Sequence, residues 1–101
     1  MYAVWIKLLE WMGGRGTEGG TVLNDEEYKK SCRITLEKCK TCYAVTCGVY
    51  GSMVHTAFFD DEDYEQKYEE MKQELASFVD RLDSITEDER SDFYGQFCDK
   101  Y

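Results

Sequence analysis

The sequence predicts an α+β domain, a small antiparallel sheet followed by two helices that cover one of its faces. Residues 32–59 alternate apolar and polar side chains with a period near two, as half-buried strands do. From residue 61 to residue 83 the period becomes helical, and residues 86–89 then spell a second helix start. Strands first and helices last is the order of a sheet with one helical layer.

The strands are read in order. Cys32, Ile34 and Leu36 alternate with Arg33, Thr35 and Glu37, and Tyr43, Val45, Cys47 and Val49 alternate with smaller residues. Val54, Thr56 and Phe58 alternate with Met53, His55, Ala57 and Phe59. β-Branched and aromatic side chains suit such a pleated surface. Lys40-Thr41 and Tyr50-Gly51-Ser52 interrupt the runs as turns. Met1–Leu9 adds a further strand with Tyr2, Val4, Ile6 and Leu8 on one face, although Trp5, Leu8, Leu9 and Met12 also fit a helical stripe. The expectation is a three- or four-stranded antiparallel sheet within residues 1–59. Gly13–Gly20 (GGRGTEGG) reads as a flexible connector. Asn24 is placed to cap a short helical turn over Asp25–Lys30.

Two helices follow. Tyr64, Tyr68, Met71, Leu75, Phe78 and Leu82 recur at spacings of four and three, widened by Val79. The acids Asp60-Asp61-Glu62-Asp63 stand where the helix dipole favours negative charge. Thr86-Glu87-Asp88-Glu89 matches a capping box and starts a helix over residues 87–98, with Phe93, Phe97 and Tyr101 on one face. The second face of the sheet is left to solvent or to a partner.

Length sets the scale: 101 residues, 11.8 kDa, one domain over residues 1–101. With 43% hydrophobic and 33% charged residues, gross disorder is excluded. No apolar run reaches the roughly 18 residues that span a bilayer. The apolar segment Met1–Met12 lacks the basic start of a secretory signal, and five cysteines are an odd number. Both point to a cytoplasmic protein.

Charge is segregated along the chain. Residues 1–59 carry six acids and seven bases, net +1, and residues 60–101 carry fifteen and five, net −10, which sum to −9. Such a field repels nucleic acid and anionic membranes and attracts basic proteins.

Chemistry-bearing residues are sparse. The glycine run lacks the lysine of a phosphate loop and holds Glu18, which repels phosphate. An EF-hand starting at Asp61 needs glycine where Gln66 stands. Cys39-x-x-Cys42 offers half of a zinc site, and Cys47 and His55 are the weak candidates to complete it, with Cys32 and Cys98 also in reach of the count. No second C-x-x-C supports it, so no metal is favoured and zinc is the one cofactor considered. Lys38 and Lys40 are expected to lower the flanking thiol pKa values. His55 is the sole histidine. A two-residue turn at Tyr50-Gly51 pairs Val54 with Cys47 and puts His55 on the outer sheet face as a structural residue; a three-residue loop reverses the faces. No catalytic motif is present, and no catalytic residue is assigned.

The reading is therefore a small, acidic, non-enzymatic module that binds and neutralises a basic protein. Its partner-binding residues are Asp63, Glu65, Glu69, Glu70, Glu74, Glu87 and Asp88, with anchors among eight tyrosines and two tryptophans. In size and charge it resembles bacterial immunity proteins and phage inhibitors that mimic DNA, with no shared motif. Two alternatives stand beside it. One is a metal- or thiol-dependent protein built on Cys39 and Cys42. The other is a homodimer or larger homo-oligomer joined through the outer sheet face, with Met53 and Phe59 on it.

Overall fold

A computed structural model describes residues 4–101 of the chain. It is an α+β fold with one five-stranded antiparallel sheet and two C-terminal helices. The strands are β1 (Ile6–Lys7), β2 (Thr21–Tyr28), β3 (Cys32–Lys38), β4 (Tyr43–Val49) and β5 (Met53–Phe59), side by side in chain order. The helices are α1 (Tyr64–Asp80) and α2 (Glu87–Lys100), joined through a short 3-10 turn at Leu82–Ser84.

The three strands read from alternation are present, and the sheet gains β2. Of the segment expected as a helical turn over Asp25–Lys30, Asp25–Tyr28 is instead the second half of this strand and Lys29-Lys30 is the turn after it. Its acids defeat simple reading because each of them has a dedicated partner elsewhere in the fold. A bulge at Leu23 also breaks the alternation, so Val22 pairs with Glu37 and Asn24 with Leu36, on opposite faces. The N-terminal strand shrinks to Ile6–Lys7, paired to Glu27 and Glu26. Tyr2 lies outside the described residues.

Hairpin geometry sets the faces. The β4–β5 connection is the three-residue loop Tyr50-Gly51-Ser52, with Val49 opposite Met53 and Cys47 opposite His55. His55 therefore faces the helices, which corrects the outer-face placement; the one-residue change in loop length flips every side chain of β5. The same flip takes Met53 into the core and packs Phe59 against it, leaving Val54 and Phe58 outside.

α1 lies across β3, β4 and β5 and buries Tyr68, Met71, Leu75, Ala76, Phe78 and Val79 against Ile34, Val45, Cys47 and their neighbours. Asp60 starts it: its side chain accepts the amides of Glu62 and Asp63 at 3.1 and 3.0 Å. α2 opens with the expected capping box between Thr86 and Glu89. It runs back along α1, stacking Phe93 on Phe78 at 4.0 Å and placing Tyr101 against Glu70 and Glu74. No helix among the described residues is long and apolar enough to cross a membrane.

Candidate functional site

Both helices lie on one face of the sheet, and the opposite face carries a hollow of about 730 Å³. Strand alternation supplies its floor, because Asp25, Thr35 and Thr46 stand in one cross-strand row, and Arg33, Gly48 and Val54 in the next. A methyl at Gly48 would come within 2.8 Å of the Met53 carbonyl, so glycine keeps the β4–β5 strands close here. Trp11, Arg15, Gly16 and Thr17 form one wall and Tyr50 the other. Volume and mixed lining are those of a ligand or side-chain pocket.

The polar floor is satisfied from within. Asp25 is fully buried, takes a two-pronged contact from Arg33 at 2.8 and 2.5 Å, and accepts Thr35 Oγ1 at 3.0 Å. The bonds to Asp25 raise the Arg33 guanidinium above its usual value. Burial, then the 2.5 Å bond to Glu27, pushes the Tyr50 phenol up to about 12. The hollow is thus close to neutral at its base, with Arg15 exposed at its edge.

The glycine run builds the wall. Gly13 donates to the Val22 carbonyl and Val22 to Gly14, at 2.8 and 2.9 Å, so the segment is hydrogen-bonded along β2. Its next amides serve an anion, but an internal one. Glu37, on β3 and fully buried, accepts the amides of Glu18 and Gly20 at 3.1 and 2.9 Å. Gly16 lies flat on that carboxylate, where any side chain would overlap it. Converging amides that would otherwise suit a phosphate are occupied by the chain's own glutamate. The connector expected from sequence is therefore tied down at both ends.

Around the hollow the outer face is apolar. Val54 is 81% exposed, Phe58 57% and Trp11 52%, and Ile6 is exposed beside Glu27. At the end of β5 this surface runs directly into the acidic turn Asp60–Asp63.

The seven expected acidic contacts fall in separate places. Glu70 and Glu74, one turn apart on α1, are bound by the Tyr101 hydroxyl, and Glu74 also pairs with Lys100 at 3.2 Å. Asp63, at the N-cap of α1, and Glu65 are exposed. Glu69, one turn past Glu65, stands 3.8 Å from Lys72. Lys72 in turn reaches the buried Glu26 at 3.0 Å, which also accepts Tyr68 at 2.7 Å and Asn24 at 3.1 Å. Glu87 and Asp88 open α2, at the other end of the antiparallel helix pair.

The weak metal candidates separate as well. Cys39 and Cys42 face each other across the β3–β4 turn. Cys47 and His55 lie mid-sheet beneath the helices, with His55 edge-on to Phe97 at 6.2 Å and its Nε2 buried without a hydrogen-bond partner. No group of three His, Cys, Asp or Glu side chains able to hold a metal occurs among the described residues. Burial pushes the Cys47 thiol up to about 12. Cys39 is raised too, by burial and then by Cys42 and Glu37, against the expected effect of Lys38 and Lys40. Sequence reasoning missed Asp25, Arg33 and Glu37 as site residues; Arg33 and Glu37 showed only as charges on a strand, and Asp25 stood in the segment read as a helical turn. Comparison with protein-family models, with curated proteins and with solved structures returned no match.

Proposed function

We propose that this chain is a protein-binding module that holds and neutralises a basic partner through its uncovered sheet face. The observation that carries the reading is the concentration of exposed apolar side chains, Trp11, Val54 and Phe58, around a preformed hollow on the face the helices leave free. Such a patch on a small acidic domain is a contact surface rather than a solubility feature. The net charge of −9 acts earlier, in capture. It speeds encounter with a basic protein, and Asp60–Asp63 border the apolar surface where such a partner would settle. Glu65, Glu69, Glu87 and Asp88 then contribute to the field rather than to one docking face.

The test is capture from a lysate of the source organism on immobilised protein, eluted with rising salt. Wild type should retain a basic protein whose activity falls on binding. Val54→Lys with Phe58→Lys should release it at least about tenfold more readily, since both side chains are exposed and fold-neutral. Neutralising Glu65, Glu69, Glu87 and Asp88 together should slow capture and flatten its salt dependence. Unchanged retention by the Val54/Phe58 variant would refute the sheet face as the contact.

A further inference from the structure

We infer that Cys39 and Cys42 form a reversible dithiol–disulfide pair at the tip of the β3–β4 hairpin, oxidised by a small disulfide of the glutathione class. Lys38 pairs with Tyr43 as the last rung of the ladder, so Cys39 and Cys42 are the next opposed residues. The Cys39 amide donates to the Cys42 carbonyl at 2.9 Å, which holds the two backbones together. As a hydrogen-bonded pair, the two residues have Cβ atoms at the wide end of the range for opposed side chains, roughly 5.5 Å apart. A disulfide needs about 3.5–4.5 Å, so a small closure of an irregular turn is enough. Both residues are half-buried.

The other thiols are excluded by place. Cys32 and Cys47 are buried in the core, and burial pushes each up to about 12. Cys98 belongs to α2, in the helical layer.

The pair is asymmetric. The Cys39 sulfur is packed against Gly20, at 3.0 Å from where a Cβ would stand, with Glu37 and Glu18 among its charged neighbours. These features and burial keep it protonated and covered, which leaves Cys42 as the attacking sulfur. Lys40, exposed in the turn, offers a cation to the carboxylates of glutathione. The Cys42 thiolate attacks one sulfur of glutathione disulfide, the S–S bond breaks and one glutathione thiolate leaves. Cys39 then gives its proton to water, and its thiolate attacks the Cys42 sulfur and expels the second glutathione. Two protein thiols are oxidised by two electrons, and one disulfide is reduced to two thiols.

This inference is independent of the proposed partner binding. Its test uses the full chain, free of any partner, in buffers of rising ratio of glutathione disulfide to glutathione. The protein should lose two hydrogens in mass, and a peptide map should join Cys39 to Cys42. After denaturation three of its five cysteines should remain open to alkylation, and excess glutathione should restore all five. Cys39→Ser should stop at a stable glutathione adduct on Cys42, whereas Cys42→Ser should gain an adduct at least about tenfold more slowly. Five free thiols in excess glutathione disulfide would overturn the inference. So would a bridge to Cys98 or Cys47, or a wild-type adduct on Cys42 that never resolves.

Discussion

Three carboxylates are buried in the sheet half of the chain, and each has its own physical answer. Asp25 is held by Arg33 and Thr35, Glu26 by Lys72, Tyr68 and Asn24, and Glu37 at Oε1 by the amides of Glu18 and Gly20, its Oε2 being buried without a hydrogen-bond partner. A buried carboxylate without such partners would cost several kcal/mol, so these contacts are conditions of the fold. Asp25 lies in the floor of the hollow, and Glu37 holds its wall. Glu37→Ala should cost about 2–3 kcal/mol in chemical denaturation, since two amides lose their acceptor and a void opens. Amide exchange at Glu18 and Gly20 should rise with it. Unchanged exchange at these two positions would show that the loop is held by its other hydrogen bonds alone.

The elements are joined by a few polar clasps as well as by the core. The β2–β3 turn is fastened to the end of α1 where Lys29 and the Tyr28 hydroxyl meet Asp80 at 2.6 and 2.8 Å. The Lys29 bond, then the Tyr28 bond, holds the Asp80 carboxyl below its usual value. A carboxyl depressed in the folded state stabilises fully above its unfolded pKa near 4, and that contribution is lost as pH falls through the folded value. Asp80→Asn should therefore flatten the acid side of the stability–pH curve and leave the neutral region parallel to wild type. The effect should be small, since both partners are largely exposed and screened. Parallel curves at low pH would remove the clasp as a contributor. The element scale also shows where reading by pattern works. α1 and α2 were legible because a stripe such as Tyr68, Met71 and Leu75 and a box such as Thr86–Glu89 are local signals. β2 was not, because its acids take their partners from β3, α1 and Tyr50 of the β4–β5 loop, and because the bulge at Leu23 breaks its alternation.

At the scale of the molecule, the sheet and the helices are halves of one core. Ile34, Val45, Cys47 and Ala57 on the sheet are covered by Met71, Leu75, Phe78 and Phe97 from the helices. A chain ending at Phe59 should not fold, since its sheet would expose this whole apolar face. It should lack cooperative thermal unfolding by circular dichroism and should aggregate. A cooperative transition in that fragment would mean that the helices are dispensable. The chain is thus polarised front to back: helices and most of the acids behind, a polar-floored hollow with an apolar surround in front.

The amino-acid sequence by itself determined the α+β class, three of the strands, both helices and the segregation of charge. Each is written in neighbours within a few residues, as periodicity, capping or composition. Only the tertiary structure decided which face His55 occupies, where Asp25, Glu26 and Glu37 find their partners, and that the glycine run walls a hollow. These depend on loop register, on a bulge and on contacts between residues far apart in the chain. The loop Tyr50–Ser52 has three residues where a two-residue turn was expected, and that one residue puts Val54 and Phe58, in place of Met53 and Phe59, on the open face.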